Sequence, residues 1–224
     1  ISFSSDFNCG KFNFFPKIVS GYYDNYVYDQ KSHLLYVSDM FSGLIQCSGS
    51  TIFADSSFVM LNFMPRVEGS FRGSAYAVFQ GGVQNKFYVA AIGLYSTDLY
   101  PIPVFTEIPS ESGLLSADVM TAPKSASVIY FGKGNVLNLF KVGSASEETL
   151  KTFDSGEKIA FIKNISGTNA DKTKFNDLLI ITNTSTSYRV YRFPLIGSAG
   201  EIDAASTAVM TGNGKASFLM FRQK

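Results

Sequence analysis

Apolar residues in this chain gather in short runs, and the residues between the runs are turn formers. The runs fall at 58–64, 75–79, 87–92, 128–131, 159–162, 178–181 and 218–221, bounded by Gly, Asn, Asp, Ser and Pro. Each has the length of a strand, and the punctuation between them is that of β-turns. Helical periodicity is nearly absent: only 146–150 and 203–208 read as short helices, at a length where an isolated helix is marginal. Several runs do not alternate apolar with polar residues. A strand wetted on one face alternates, whereas a strand covered on both faces has no need to. The short, turn-rich connections favour antiparallel hairpins, so the pattern predicts antiparallel sheets covered on both sides. The stacked blades of a β-propeller meet that requirement. A sandwich covers one face of each sheet and meets it less well.

Spacing adds a repeat. Four pairs of adjacent strands align, with first members starting near Leu34, Ala75, Val128 and Leu178, 41, 53 and 50 residues apart. Their partners start near Leu44, Phe87, Val136 and Tyr188, 43, 49 and 52 residues apart. Both series match the roughly 40–50 residues of a propeller blade. Runs beginning at Phe58, Val119 and Ile159 precede the later pairs, and 100–105, 149–153 and 207–210 supply outer strands. Segments 12–19 and 26–28 are extra strand candidates before the first pair, and 216–221 opens a further unit without its partner. The expected fold is therefore one all-β domain over 1–224: a β-propeller, or part of one, of four-stranded antiparallel blades. The blade number stays open between four, five and more.

Composition narrows the function classes. Hydrophobic residues make up 46% of the 224 and charged residues 17%, which supplies a real core and argues against disorder. A net charge of +1 leaves no electrostatic footprint for nucleic acid or an anionic membrane. No apolar run reaches the roughly 18 residues of a membrane helix. The chain begins at Ile1 without a methionine or a signal peptide, which reads as a processed or truncated N-terminus. The 21 Phe and 12 Tyr, with no Trp, suit cross-strand packing; a sugar-stacking platform built on Tyr is the sharper alternative. Charge is uneven: residues 1–112 carry 6 basic and 9 acidic side chains, residues 113–224 carry 13 and 9.

Candidate chemistry is sparse. Cys9 and Cys47 are too few for a zinc site, and both a disulfide and two buried thiols fit them. A nucleophile–His–acid triad has only His33 to draw on, in a turn and without an identifiable orienting partner. Gly132-Lys133-Gly134-Asn135 resembles a phosphate loop superficially, but it lacks the Gly-Lys-Ser/Thr ending and lies between strands, where Gly-Asn is hairpin chemistry. Asp39, Asp98, Asp118 and Asp177 lie near strand ends, where a glycosidase pair would have to be assembled and where Asp also serves as an ordinary loop cap. Asn169-x-Asp171-x-Thr173 has the start of a calcium loop without its glycine or its terminal Glu. Lys172-Thr173-Lys174 suits a solvated loop, with an acidic-glycan contact as the lesser reading.

A resemblance enters in the second half. SVIYFGKGNVLNLF at 127–140, TFDSGEKIAFIKN at 152–164, NDLLIITNTSTSYRVYRFPL at 176–195 and TGNGKASFLMFRQ at 211–223 follow one another in an order that resembles the C-terminal propeller region of the PKD-like family lipoproteins of gut Bacteroidetes-type bacteria. The resemblance covers 115–224 best and carries no catalytic motif. It implies an exported protein of the periplasm or outer-membrane surface, tied to the membrane only by a lipid anchor outside this chain.

The function expected from these readings is a non-enzymatic, monomeric binding or scaffold module without cofactor or metal, with polysaccharide or a surface protein as partner. No catalytic, cofactor or metal residue is assigned, and the ligand-binding residues are left unknown. The runner-up is a propeller-type carbohydrate-active enzyme using acids and tyrosines on one face.

Overall fold

Turn residues at short intervals give strands that meander, each pairing with the next. The computed structural model describes residues 12–19, 22–29, 34–39, 43–46, 59–65, 73–81, 84–94, 106–123, 127–169, 171–196, 200–205 and 207–217, with side-chain surroundings at 76–81, 84–90 and from 106 onward. The described chain is all-β, in antiparallel sheets, and its one helical element is a short 3-10 turn at Gly113–Ser116. By backbone proximity it divides into two compact units, 1–107 and 108–224.

The first unit holds two meander sheets. One runs β1 (Phe12–Val19), β2 (Tyr22–Asp29), β3 (Leu34–Asp39) and β4 (Gly43–Gln46); the other runs β5 (Val59–Pro65), β6 (Gly73–Gly81), β7 (Lys86–Leu94) and β8 (Thr106–Ile108). The first strands of the two sheets, β1 and β5, lie next to each other.

The second unit repeats the plan. Its first sheet is β9 (Val119–Thr121), β10 (Val128–Lys133), β11 (Val136–Lys141) and β12 (Ser146–Thr152). Its second is β13 (Lys158–Thr168), β14 (Lys174–Asn183) and β15 (Ser187–Ile196), with both β16 (Glu201–Ile202) and β17 (Ala208–Asn213) on the far edge of β15. Here too the first strand of one sheet, β9, lies beside the first strand of the next, β13. Gly132 on β10 allows this approach: a Cβ there would come within 2.9 Å of Ile159 Cγ2 and 3.1 Å of Val119 Cγ2.

The second strand of each of the last three sheets is covered on both faces, as the unbroken apolar runs predict. Tyr76–Phe79 on β6, Val128–Gly132 on β10 and Asp177–Thr182 on β14 are buried without interruption. On β14 alternate residues serve two different cores. Leu178 and Ile180 join Val128, Tyr130, Leu137, Leu139, Tyr191 and Phe193 between the two sheets. Leu179 and Ile181 join Val190 on the opposite face, under Phe161, Ile165, Tyr188 and Ala216.

Several expectations are corrected. The pair beginning at Leu34 and Leu44 forms β3 and β4, the third and fourth strands of its sheet, whereas the later pairs are second and third. The segments 12–19 and 26–28, read as extras, belong to the first two strands of that sheet. Sheets therefore begin at Phe12, Val59, Val119 and Lys158, 47, 60 and 39 residues apart, less evenly than the strand pairs suggested. Segment 146–150 is not helical: it lies in β12, paired with β11 across Leu139↔Glu148, where the Lys141–Glu148 bridge and the packing of Leu150 on the core outweigh local propensity. Segment 203–208 contains a turn capped by Asp203, whose Oδ1 accepts from the Ala205 N–H at 3.1 Å. Strand 100–105 and segment 218–221 lie outside the described residues, and the described outer strand of the second sheet is Thr106–Ile108.

Candidate functional site

The β14–β15 hairpin positions the charged chemistry of the second unit. Its register pairs Thr182 with Arg189 and Leu179 with Arg192. Because side chains alternate along a strand, Arg189 and Tyr191 share the face turned toward the preceding sheet, and Arg192 takes the other.

Glu157 reaches the first face from the connection between β12 and β13. That connection is tied to the β10–β11 hairpin tip: Phe153 and Ile159 donate to the carbonyls of Asn135 and Gly134 at 2.9 and 2.8 Å, and Asn135 Nδ2 donates to the Phe153 carbonyl at 2.8 Å. The tip is a two-residue loop with Gly134 at φ +59°, as a type II′ turn requires at its first central position. The Glu157 carboxylate is only 1% exposed. It accepts hydrogen bonds from Thr182 Oγ1, Arg189 Nη1 and the Tyr191 hydroxyl. Arg189 Nη1 also donates to Asp154 Oδ2 at 2.9 Å. Asp154 first, then Tyr191 and Glu157, hold the guanidinium above its ordinary pKa, and burial foremost pushes the Tyr191 phenol up. A carboxylate enclosed by three donors and 1% exposed is not presented to solvent. The cluster is a latch between the inter-sheet connection and β15.

The opposite face is covered over Leu179, Ile181 and Val190 and open only at its end around Asp177. Asp177, 5% exposed, accepts from Arg192 Nε, and the guanidinium lies over the Phe175 ring, 4.9 Å from its centroid. The buried acid thereby orients the arginine. Beside it is a shallow cleft of about 440 Å³ lined by Lys174, Phe175, Asn176, Asp177, Arg192, Pro194, Leu195 and Val209. A second open cleft, about 470 Å³, lies along β15 and β17 between Ser187, Arg189, Thr211, Gly212 and Asn213. Its Gly212 faces the Tyr188 ring so closely that a Cβ would meet it at 2.5 Å.

Of the residues singled out from the sequence, Asp177 and Lys174 line the cleft beside Arg192. Asp118 is a turn cap: its Oδ2 accepts from the Gly134 N–H at 2.8 Å, which settles the Gly132–Asn135 segment as a braced hairpin. Asp171 accepts from both the N–H and the hydroxyl of Thr173, at 3.0 and 2.6 Å, within a turn closed by Asn169. That turn is the tip of the β13–β14 hairpin, from which Lys174 enters the cleft. His33, Cys9, Cys47 and Asp98 lie outside the described residues, as does the side chain of Asp39. Glu157, Arg189, Phe175 and Arg192 escaped the sequence reading. Their signal was two arginines in the mixed stretch 188–193, which follows 178–181, a run expected to be covered on both faces; charge next to such a strand requires a partner.

No family model, curated protein or solved structure matches this chain.

Proposed function

We propose that this chain is a non-enzymatic binding or scaffold module of the cell surface or periplasm, with polysaccharide or a surface protein as partner. The observation that carries this reading is the contrast between the two faces of the last sheet. Its buried acids, Glu157 and Asp177, are both committed to arginines, while the cleft beside Arg192 stays open and combines aromatic, amide and cationic groups. General acid–base work needs a carboxylate within reach of the reacting bond; an open mixed cleft suits recognition.

The same proposal takes the architecture as a β-propeller or part of one. Its support is the succession of four-stranded meanders and the meeting of successive sheets at their first strands within each unit, as inner blade strands do. The resemblance to PKD-like family lipoproteins underlies the exported setting and an anchor outside this chain.

The test is to incubate the purified chain with a panel of plant and host polysaccharides, measuring retention and new reducing ends together. Retention without product supports the module. Steady product release that disappears on mutation of a cleft carboxylate would overturn it in favour of a carbohydrate-active enzyme.

A further inference from the structure

We propose that the cleft beside Arg192 recognises an acidic sugar residue, with Arg192 and Lys174 on its carboxylate or sulfate and Phe175 and Pro194 against its ring; this rests on the binding-module reading above. Arg192 is held on two sides. Its Nε donates to Asp177 and its plane lies over Phe175. Its two Nη nitrogens make no hydrogen bond among the described residues, and the side chain is 42% exposed in the wall of the cleft. A guanidinium fixed in this way keeps a pair of parallel N–H donors, the geometry that matches a planar oxyanion.

The surroundings supply further donors. Lys174 has no ion-pair partner among the described residues and lines the same cleft. Asn176 uses its Oδ1 to accept from Asn164 Nδ2 at 2.9 Å, which leaves its Nδ2 as a donor. Against Asp177, Arg192 and Lys174 leave one unit of positive charge, enough for one anionic group rather than a polyanion's whole backbone. The remaining wall, Phe175, Pro194, Leu195 and Val209, is apolar. A small anion has no use for such a wall. A pyranose ring bearing a carboxylate or sulfate has both an apolar C–H face to lay on it and a charge to present to the donors.

The experiment uses the full chain against four polymers: polygalacturonate, which carries carboxylates; dextran sulfate; unmodified dextran; and polyglutamate. Affinity electrophoresis and calorimetry give the dissociation constants. Binding of polygalacturonate, dextran sulfate or both, at least tenfold tighter than dextran, is expected, and the two acidic arms identify the anionic group. Lys174→Gln, at an exposed position, should weaken that binding several-fold and flatten its salt dependence. Arg192→Lys keeps a cation for Asp177 but loses the fork, and should weaken it about tenfold or more; thermal unfolding of this variant separates lost binding from lost folding. Tight polygalacturonate binding that neither substitution changes would overturn the inference. Equal binding of dextran and polygalacturonate would overturn it while leaving the module reading intact. Retention of polyglutamate alone would overturn it in favour of an acidic protein partner.

Discussion

Arg189 and Arg192, three positions apart on β15, leave the same sheet on opposite faces and each meets its own buried carboxylate, Glu157 for the first and Asp177 for the second. An odd spacing on a strand forces this division. One arginine binds the sheet to the connection before it, and the other is presented to an open cleft.

The Glu157 latch should show in stability. Breaking a wholly buried ion pair costs about 3–5 kcal/mol. The Arg189 side chain is 38% exposed, so water recovers part of the loss, and Arg189→Ala should still lower the urea midpoint by more than Asp154→Asn does. Asp154 is 78% exposed, and Asp154→Asn should cost under about 1 kcal/mol. Equal losses for the two variants would show that Glu157 is not the partner that matters.

Gly132 should not tolerate a side chain. Gly132→Ala places a methyl against Ile159 and Val119 at the line where β9, β10 and β13 meet, and overpacking of this kind costs about 1–3 kcal/mol. Adding Ile159→Ala makes room for it. The double variant should therefore lose less than the two single losses combined; simple additivity would mean the methyl is accommodated elsewhere.

The two faces of β14 should differ in their response to truncation. Leu178 is fully buried between sheets, and Leu178→Ala should cost about 2–5 kcal/mol. Phe161 was expected in a doubly covered run but is half-buried beside a β-bulge. Its truncation should cost less than that of Leu178, as read from paired denaturation curves, despite the larger side chain removed.

Asp171 should titrate below its ordinary value of 3.8, chiefly because the Thr173 hydroxyl donates to it, with the Thr173 N–H second. A depressed folded pKa favours the folded chain above the ordinary carboxylate value, and that contribution is lost as pH falls through the folded pKa. Carboxyl-carbon NMR on Thr173→Ala should show the midpoint rising toward 3.8 without reaching it, since the N–H bond remains. An unchanged midpoint would remove the hydroxyl as the cause.

Most strand positions, turn chemistry and the double covering of the second strands of the last three sheets were readable along the chain, because each rests on neighbours close in sequence: apolar runs, Gly134-Asn135 between them, and the polar gap at 154–158. Other features depend on residues far apart. The bulge between Ile159 and Phe161 lets Ile159 and Ile162 share one core while Phe161 enters the other, and period-two counting across it gives the wrong face. Polar 146–150 has the composition of a helix, and only its place beside β11 makes it a strand. The charged partnerships are further still from sequence legibility. Glu157 lies 32 residues from Arg189 and Asp177 lies 15 from Arg192, so nothing local assigns either acid to its arginine. Strand pairing brings each pair together, burial forces the charges to be matched, and the sheet's two faces decide which arginine is enclosed and which is offered to solvent.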